Sequence, residues 1–322
     1  MEKLFIKYRK PLLTGIIVGL AVLAGLLILS DARGVIQVFS GFKLQYLPLI
    51  LILAPLNYLL RFVKWNYYLK VSGLNPDPVV NRYIFLSGLS MTITPGKVGE
   101  LIKCYLLKEH IGAPVSATSP IVMAERITDG IAMVILAAIG SLAYTYGGYA
   151  LLVSTLALAF TVTVFQFDAL FDYITNLFSR VKYLQGVASF MVSFQRSAKK
   201  LFTPKRLFVA VGLGVISWGF EGFVVYLAVL AFGGNISVLG SIFVVSISSL
   251  LGALSALPGG VIVAEGSIMA LLLVVGISPE MAAATTLVTR FSTLWLGVGI
   301  GLVGLVLVQR LMVEGNGAAY IK

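Results

Sequence analysis

The chain has 322 residues, of which 59% are apolar and 11% are charged, whereas soluble domains contain about 25% charged residues. A mean hydropathy of +0.99 therefore excludes an ordinary soluble domain and indicates a membrane protein. The net charge of +11 comes from basic residues between apolar segments, which predicts contacts with anionic lipid headgroups and argues against nucleic-acid binding.

Two residue types that often mark catalytic or metal sites occur once each, as Cys104 and His110. A single cysteine excludes a disulfide framework and a thiolate metal site. A single histidine excludes a His-based metal site and a catalytic triad. The sequence also has no recognisable nucleophile–base pair, so we expect no metal, no cofactor and no enzymatic activity.

Six apolar runs are long enough to cross a bilayer as helices, since a crossing needs about 20 residues. They cover residues 12–30, 47–69, 118–145, 147–167, 207–232 and 280–308. The first run follows a basic N-terminus and is longer than a signal-peptide core of about 7–15 residues. It is therefore predicted to be a retained first span.

Two further apolar stretches, residues 83–109 and 238–275, are interrupted in the middle. The interruptions are Thr94-Pro95-Gly96 and Pro258-Gly259-Gly260. Proline removes a helix hydrogen bond and glycine loosens the backbone. Each stretch is either a kinked helix or a re-entrant hairpin that enters and leaves the membrane on one side.

Basic residues are distributed unequally between the connections, and this predicts the orientation. If the N-terminus is cytoplasmic, the loop 70–82, the connection 168–206 and the C-terminus are cytoplasmic too and carry most of the basic charge, as the positive-inside rule requires. Residues 168–206 combine a helical apolar stripe with basic residues, which predicts an amphipathic linker on the cytoplasmic face. We therefore expect a multi-pass cell-membrane protein with both termini cytoplasmic.

The two halves of the chain, residues 47–145 and 207–308, resemble each other. Pro95 and Pro258 are 163 positions apart, and Arg126 and Arg290 are 164 apart. Both halves run in the order span, interrupted stretch, Glu, Gly turn and span with one Arg, although chance similarity between apolar segments is the alternative.

In the predicted orientation, the first interrupted stretch enters from the inside and the second from the outside. The expected fold is therefore all-α and polytopic, a single transmembrane domain over residues 1–322 with two inverted repeats, each carrying a broken re-entrant hairpin. Alternating-access transporters are built in this way.

Ionisable residues at membrane depth usually face the protein interior or a wet cavity. Arg61, Lys64 and Lys103 lie near the cytoplasmic end and either snorkel to the surface or face inward. Glu125, Arg126 and Asp129 share one helix, so they form either a self-satisfied ion cluster that locks packing or a gate. Glu221 belongs to the same small set of intramembrane charges.

The first interruption has the chemistry of an anion site. Thr94 is a plausible helix cap and Pro95 suits the first helical position, so the new half-helix would direct free N–H groups at the break, with Lys97 beside them. The spacing is not that of a Walker P-loop. The alternative is a loop held by neighbouring side chains.

Glu100 and Glu265 follow the two interruptions at corresponding places. A lone buried carboxylate is costly when ionised. Each either pairs with a cation, with Arg126 and Arg290 as the repeat-related candidates, or binds and exchanges a proton. We favour pairing, because the two arginines are otherwise unexplained charges in apolar helices.

At these residues the sequence resembles the transmembrane region of the lysylphosphatidylglycerol synthase/flippase superfamily, the membrane part of the bacterial multiple peptide resistance factor. The likeness covers nearly the whole chain. The matching segments are Thr94-Pro95-Gly96-Lys97-Val98-Gly99-Glu100, Glu125-Arg126-Ile127-Thr128-Asp129-Gly130, Leu257-Pro258-Gly259-Gly260 with Glu265-Gly266, and Arg290.

The resemblance implies translocation of lipid between leaflets and suggests a homodimer. It also implies that the interruption residues bind substrate, namely Thr94, Pro95, Gly96, Lys97, Gly99, Glu100, Pro258, Gly259, Gly260 and Glu265. The remaining charges, Glu125, Arg126, Asp129 and Arg290, would act as gates or ion pairs. Full-length synthases carry a soluble aminoacyl-transfer domain after this region, whereas this chain ends at Lys322, so lipid synthesis is not expected.

Three functions are compatible with these observations. The leading hypothesis is a flippase for an anionic or aminoacylated phospholipid of the lysyl-phosphatidylglycerol kind. The alternatives are a carrier of a polyprenyl-phosphate-linked lipid and a non-transporting membrane scaffold. A water-accessible cavity that reaches the interruptions distinguishes a transporter from a scaffold, because only a transporter needs one.

Overall fold

The chain folds into α-helices joined by short turns. A computed structural model describes residues 2–29, 31–94, 96–141, 197–255 and 257–319, together with six single positions between 152 and 195. No β-strand forms in these ranges, so the predicted all-α class is confirmed. The predicted span 147–167 and most of the linker 168–206 lie outside the described residues.

Eleven α-helices are named here in chain order. The first half contains α1 (Glu2–Leu29), α2 (Ala32–Ser40), α3 (Leu47–Val71), α4 (Pro78–Ser90), α5 (Ile102–Ile111) and α6 (Val115–Ser141). The second half contains α7 (Pro204–Ala231), α8 (Val238–Leu254), α9 (Val263–Val274), α10 (Pro279–Arg290) and α11 (Leu296–Ala319). A π-helical turn, Phe291–Trp295, joins α10 to α11 without a gap.

Side-chain caps in the sequence determine several helix starts. The Asp77 carboxylate accepts two backbone N–H groups of the first turn of α4, and Pro78 occupies the first helical position. The hydroxyl oxygens of Ser237 and Ser278 cap α8 and α10 in the same way. The three capping residues lie in short connections, each directly before a helix.

Within the described residues, three stretches are long and apolar enough to cross a membrane: Leu44–Val71, Pro204–Ala231 and Pro279–Met312. They correspond to three of the six predicted spans. The predicted first span lies in α1, whose apolar section Leu12–Gly25 is shorter than a full crossing. The run at 118–145 lies in α6, a 27-residue helix with three charged residues in its middle.

The two interrupted stretches are broken hairpins, not kinked helices. The first break, residues 94–97, separates α4 from α5, and the second break, residues 257–262, separates α8 from α9. The backbone N–H of Asp77, at the start of α4, donates to His110 Nε2 near the end of α5 at 3.2 Å, so the first hairpin returns to its starting point. In the second hairpin, Ile236 and Ile277 flank the two ends and share one buried cluster.

Helices of the two halves pack against each other in a reciprocal pattern. Helix α4 of the first half packs along α11 of the second, and α8 of the second packs along α6 of the first, while α3 packs against α7. Gly140 on α6 lets the backbone of α8 approach, and Gly304 on α11 does the same for α4. These glycines are 164 positions apart, as are Arg126 and Arg290. The pattern is expected for related halves, and their inversion across a membrane stays a prediction.

The side chains around helix α3 are distributed as in a helix with one face toward lipid. One face carries exposed apolar side chains at helical spacing: Leu49, Ile52, Leu56, Leu59 and Val63. The opposite face buries polar side chains, among them Asn57, Arg61 and Lys64. A soluble helix would bury the first set and expose the second. Arg61 and Lys64 therefore face the protein interior.

The close contact of α4 with α11 gives a stability prediction. A Cβ on Gly301 would overlap the backbone nitrogen of Ser90 and lie 2.8 Å from the carbonyl carbon of Leu89. We expect Gly301→Ala to lower the free energy of unfolding by about 1–3 kcal/mol, because the two backbones must move apart. Thermal unfolding of the purified protein in detergent measures this.

Gly299 on the same helix provides the control, because a Cβ there meets no atom within 4 Å. Gly299→Ala should leave the melting temperature unchanged or raise it slightly, since alanine favours helix. Equal melting temperatures for the two variants would contradict the packing described here.

Candidate functional site

The first break combines a capping threonine with two residues in the left-handed region. The Thr94 hydroxyl oxygen accepts the backbone N–H of Gly99 at 2.9 Å, and Gly96 and Lys97 have φ of 57° and 56°. Helical backbone resumes at Val98, in a 3₁₀ turn that leads into α5. The predicted start at Pro95 is therefore displaced to Val98, because two left-handed residues precede the turn. Pro95 itself lies outside the described residues.

The second break contains more left-handed backbone than the first. Gly259 and Gly260 have φ of 61° and 64°, and Ile262, directly before α9, has φ of 77°. Positive φ is rare for a β-branched residue and persists only where the surroundings impose it. Glu265 lies in the first turn of α9.

The two breaks touch each other. The backbone N–H of Gly259 donates to the Thr94 carbonyl at 3.4 Å. A Cβ on Gly259 would lie 3.3 Å from the Cα of Ile93, so the glycine permits this approach. The two segments that the sequence predicted as lipid-handling sites are therefore in direct contact.

Each half contains a buried Glu–Arg pair beside its break. Arg126 Nη1 lies 3.3 Å from Glu100 Oε1, and Arg290 Nε lies 2.6 Å from Glu265 Oε1. Arg290 Nη2 also donates to the Gly259 carbonyl at 3.3 Å, which ties the second break to α10. The predicted pairing is thus present in both halves, and it leaves no carboxylate of these pairs without a cation.

A larger charge network surrounds the first pair. It contains three acids and three bases and is neutral: Glu100, Glu125, Asp129, Lys64, Lys103 and Arg126. Lys103 Nζ lies 2.6 Å from Glu125 Oε2 and 4.3 Å from the centroid of the Trp65 ring. Lys64 pairs with Asp129.

The network corrects two sequence-based interpretations. Lys64 and Lys103 do not snorkel to a surface, since their side chains are 1% and 2% exposed. Glu125, Arg126 and Asp129 do not satisfy one another within α6. Arg126 does contact Asp129 at 3.1 Å, but the lysines of α3 and α5 supply the remaining positive charge.

A central cavity of about 70 Å³ lies between the two breaks. Its walls come from α3, α7, α8, α10 and α11 as well as the breaks. The side chains that matter for its chemistry are Tyr58, Arg61, Lys97, Trp218, Glu221 and Arg290.

Two cations of the central cavity have no acidic partner at ion-pair distance within the part of the chain that the structure describes. The Arg61 side chain is buried, with the residue 7% exposed, and its Nε has no hydrogen-bond partner. Lys97 is half-buried, and its Nζ lies 5.9 Å from the centroid of the Trp218 ring. Arg61 therefore does not snorkel either. The arrangement favours an anionic ligand, because a buried charge is costly until it is paired.

Sequence reasoning missed the polar contact between α3 and α7. Asn57 Nδ2 donates to the Ser217 carbonyl at 2.8 Å and to Glu221 Oε1 at 3.1 Å. Asn57 and Glu221 are 164 positions apart, so the separation that relates Arg126 to Arg290 also relates two residues that touch. Subtracting 164 from position 221 gives Asn57, and this is the signal in the sequence that relates the two residues.

In the ranges that the structure describes, no group of three or more His, Cys, Asp or Glu side chains is arranged to hold a metal ion. The carboxylates of Glu100, Glu125, Asp129 and Glu265 are each occupied by a lysine or arginine. Cys104 is buried and unpaired with any other cysteine.

Comparison with known proteins places these residues in a family context. Residues 16–301 match the family model described as the lysylphosphatidylglycerol synthase TM region. A UPF0104 membrane protein of Pyrococcus horikoshii is 24% identical over 94% of this chain and 98% of its own length. A UPF0104 membrane protein of Methanothermobacter thermautotrophicus is 23% identical over 89% of this chain and 92% of its own length. The matched range contains both breaks and both Glu–Arg pairs.

Proposed function

This chain belongs to the lysylphosphatidylglycerol synthase transmembrane-region family and is a membrane protein, and from this premise we propose that it moves a phospholipid between membrane leaflets. The substrate would be recognised by its phosphate in the central cavity. Phosphatidylglycerol and its aminoacyl esters are the substrate class that the family's name suggests. In this proposal the chain is a carrier and not an enzyme.

The observation that carries the proposal is a pair of cations that line the central cavity, Arg61 of α3 and Lys97 of the first break. Arg61 and Lys97 line one cavity, and neither has an acidic side chain at ion-pair distance among the described residues. A guanidinium group suits the oxygens of a phosphate. The predicted free N–H groups do not add to it at Lys97, Gly99 and Glu100, because these three backbone N–H groups already donate to Thr94 or Lys97. Arg290 is excluded from this role because Glu265 already neutralises it.

Transport would require the two breaks to separate. The two breaks are in contact through the Gly259 N–H and the Thr94 carbonyl, so a lipid headgroup that passes between them has to separate them. We propose that this contact opens toward each leaflet in turn, as in carriers built from paired broken helices.

The main experiment measures lipid movement in vesicles. Purified protein is reconstituted into liposomes that contain a fluorescent phosphatidylglycerol, and a membrane-impermeant reductant then bleaches the outer leaflet. We expect inner-leaflet probe to become accessible faster than in protein-free vesicles. Equal rates would reject translocation and favour the scaffold hypothesis. Movement of a polyprenyl phosphate but not of phosphatidylglycerol would favour the second carrier hypothesis.

Lys97 is expected to contribute modestly to this movement. Lys97→Ala should weaken binding of short-chain phosphatidylglycerol about threefold to tenfold, because a half-buried ion interaction is worth on the order of 1 kcal/mol. Titration calorimetry in detergent measures the affinity. Lys70→Ala, at the exposed end of α3, is the matched control and should bind like the native protein. Equal affinity for Lys97→Ala and native protein would remove Lys97 from the site.

A further inference from the structure

The charges of the interior do not cancel. Eleven side chains that are charged at neutral pH in water line the central cavity or belong to the ion pairs around it. Six are basic: Arg61, Lys64, Lys97, Lys103, Arg126 and Arg290. Five are acidic: Glu100, Glu125, Asp129, Glu221 and Glu265. With every group ionised, this set carries one uncompensated positive charge.

The excess is located at the central cavity. The charge network of the first half is neutral by itself, and so is the pair of Arg290 with Glu265. Three charges remain, on Arg61, Lys97 and Glu221, and all three line the cavity. The cavity therefore holds one excess positive charge, and without Glu221 it would hold two.

Glu221 is placed to act on a ligand and not to lock the fold. Its carboxylate is half-buried and accepts a hydrogen bond from Asn57, which is neutral, and no cation of the described residues lies at ion-pair distance. Charged or ionisable groups face it from four neighbouring segments, namely Tyr58 and Arg61 of α3, Asp129 of α6, Lys97 of the first break and Arg290 of α10. Helix α8 contributes uncharged residues such as Ser249.

We infer that Glu221 selects the charge of the substrate, so that the cavity takes a phosphodiester lipid with a single negative charge. Within the proposed substrate class this is phosphatidylglycerol itself and not its zwitterionic or cationic aminoacyl esters. One such charge brings the interior to neutrality. A phosphomonoester lipid, with about two negative charges above pH 7, would leave an excess negative charge beside Glu221. A zwitterionic lipid would leave the positive charge uncompensated. Charge–charge interactions are strong at such a site because little water screens them.

This inference rests on the proposed function and names its substrate class. The test compares three dioctanoyl lipids at pH 8.5 by titration calorimetry on the full-length protein: phosphatidylglycerol, phosphatidic acid and phosphatidylethanolamine. We expect the native protein to bind phosphatidylglycerol at least about tenfold more tightly than either of the others. Glu221→Gln raises the excess charge to two, and this variant should bind phosphatidic acid more tightly than phosphatidylglycerol.

Glutamine retains the oxygen that accepts from Asn57, so this variant keeps the local hydrogen bond. Glu221→Asp retains the charge and should keep the native order of affinities, which separates charge from shape. If native protein binds phosphatidic acid as tightly as phosphatidylglycerol, or if Glu221→Gln keeps the native order, the inference is wrong although the proposed function stands. If no phospholipid binds to the native protein, the proposed function fails and the inference fails with it.

Discussion

Replacing Arg61 by glutamine is expected to weaken binding of phosphatidylglycerol about 10- to 150-fold, without destabilising the ligand-free protein. Hydrogen bonds to a charged group contribute about 1.5–3 kcal/mol, which corresponds to that range of affinity. Arg61 is buried without an acidic partner in the described residues, so its removal leaves no orphaned carboxylate and eliminates an uncompensated charge. The melting temperature should be unchanged or higher.

Two further variants make this prediction specific. Arg61→Lys keeps the charge but loses the planar guanidinium, so it should retain part of the affinity. Arg82→Gln applies the same substitution at an exposed position of α4 and should change neither affinity nor melting temperature. A clear drop in the melting temperature of Arg61→Gln would show that Arg61 supports the fold, and would contradict its assignment as a ligand group.

The opposite behaviour is expected of Arg290. Arg290→Met should lower the free energy of unfolding by about 3–5 kcal/mol, because it leaves the Glu265 carboxylate buried without its cation. It also removes the donor to the Gly259 carbonyl, so the second break loses an anchor. Denaturation in detergent, followed by helical circular dichroism, measures the loss.

A double variant tests the cause of this loss. Combining Glu265→Gln with Arg290→Met removes both charges, and we expect it to recover more than half of the stability, since a buried pair replaced as a whole is often close to neutral in effect. Arg82→Met is the matched substitution at an exposed site. If the double variant is as unstable as Arg290→Met alone, the packing of the arginine side chain and not its charge would be responsible.

The sequence was sufficient to locate both breaks and to favour the two Glu–Arg pairs, but it left a kinked helix and a hairpin as alternatives for each interrupted stretch. Proline and glycine in the middle of an apolar stretch interrupt a helix there, whichever other segments of the chain pack against it. The near-constant separation of 164 positions then matched Arg126 with Arg290, and Glu100 with Glu265 follows closely at 165. The helix-breaking residues and the internal repeat can both be identified in the sequence, because neither depends on how the helices pack.

Features that depend on packing were not predictable from these patterns. Arg61, Lys64 and Lys103 lie near helix ends in the sequence, where a long side chain can reach a surface, and only the contacts of α3, α5 and α6 show that they turn inward. The start of helical backbone at Val98 depends on left-handed dihedrals that neighbouring segments impose. The role of Glu221 depends on which cations remain unpaired, and this is known only when every other pair has been assigned.

The contact between Asn57 and Glu221 bears on whether the net charge of the protein interior is an odd or an even number. An assembly of two identical halves can only carry an even net charge, because each contribution occurs twice. This chain places an amide at position 57 and a carboxylate 164 positions later, where the two touch, so the halves contribute unequally at their own contact. An odd charge is then possible. A single fused chain with diverged halves can therefore match a singly charged ligand, whereas a strictly symmetric dimer of one half could match only a ligand of even charge.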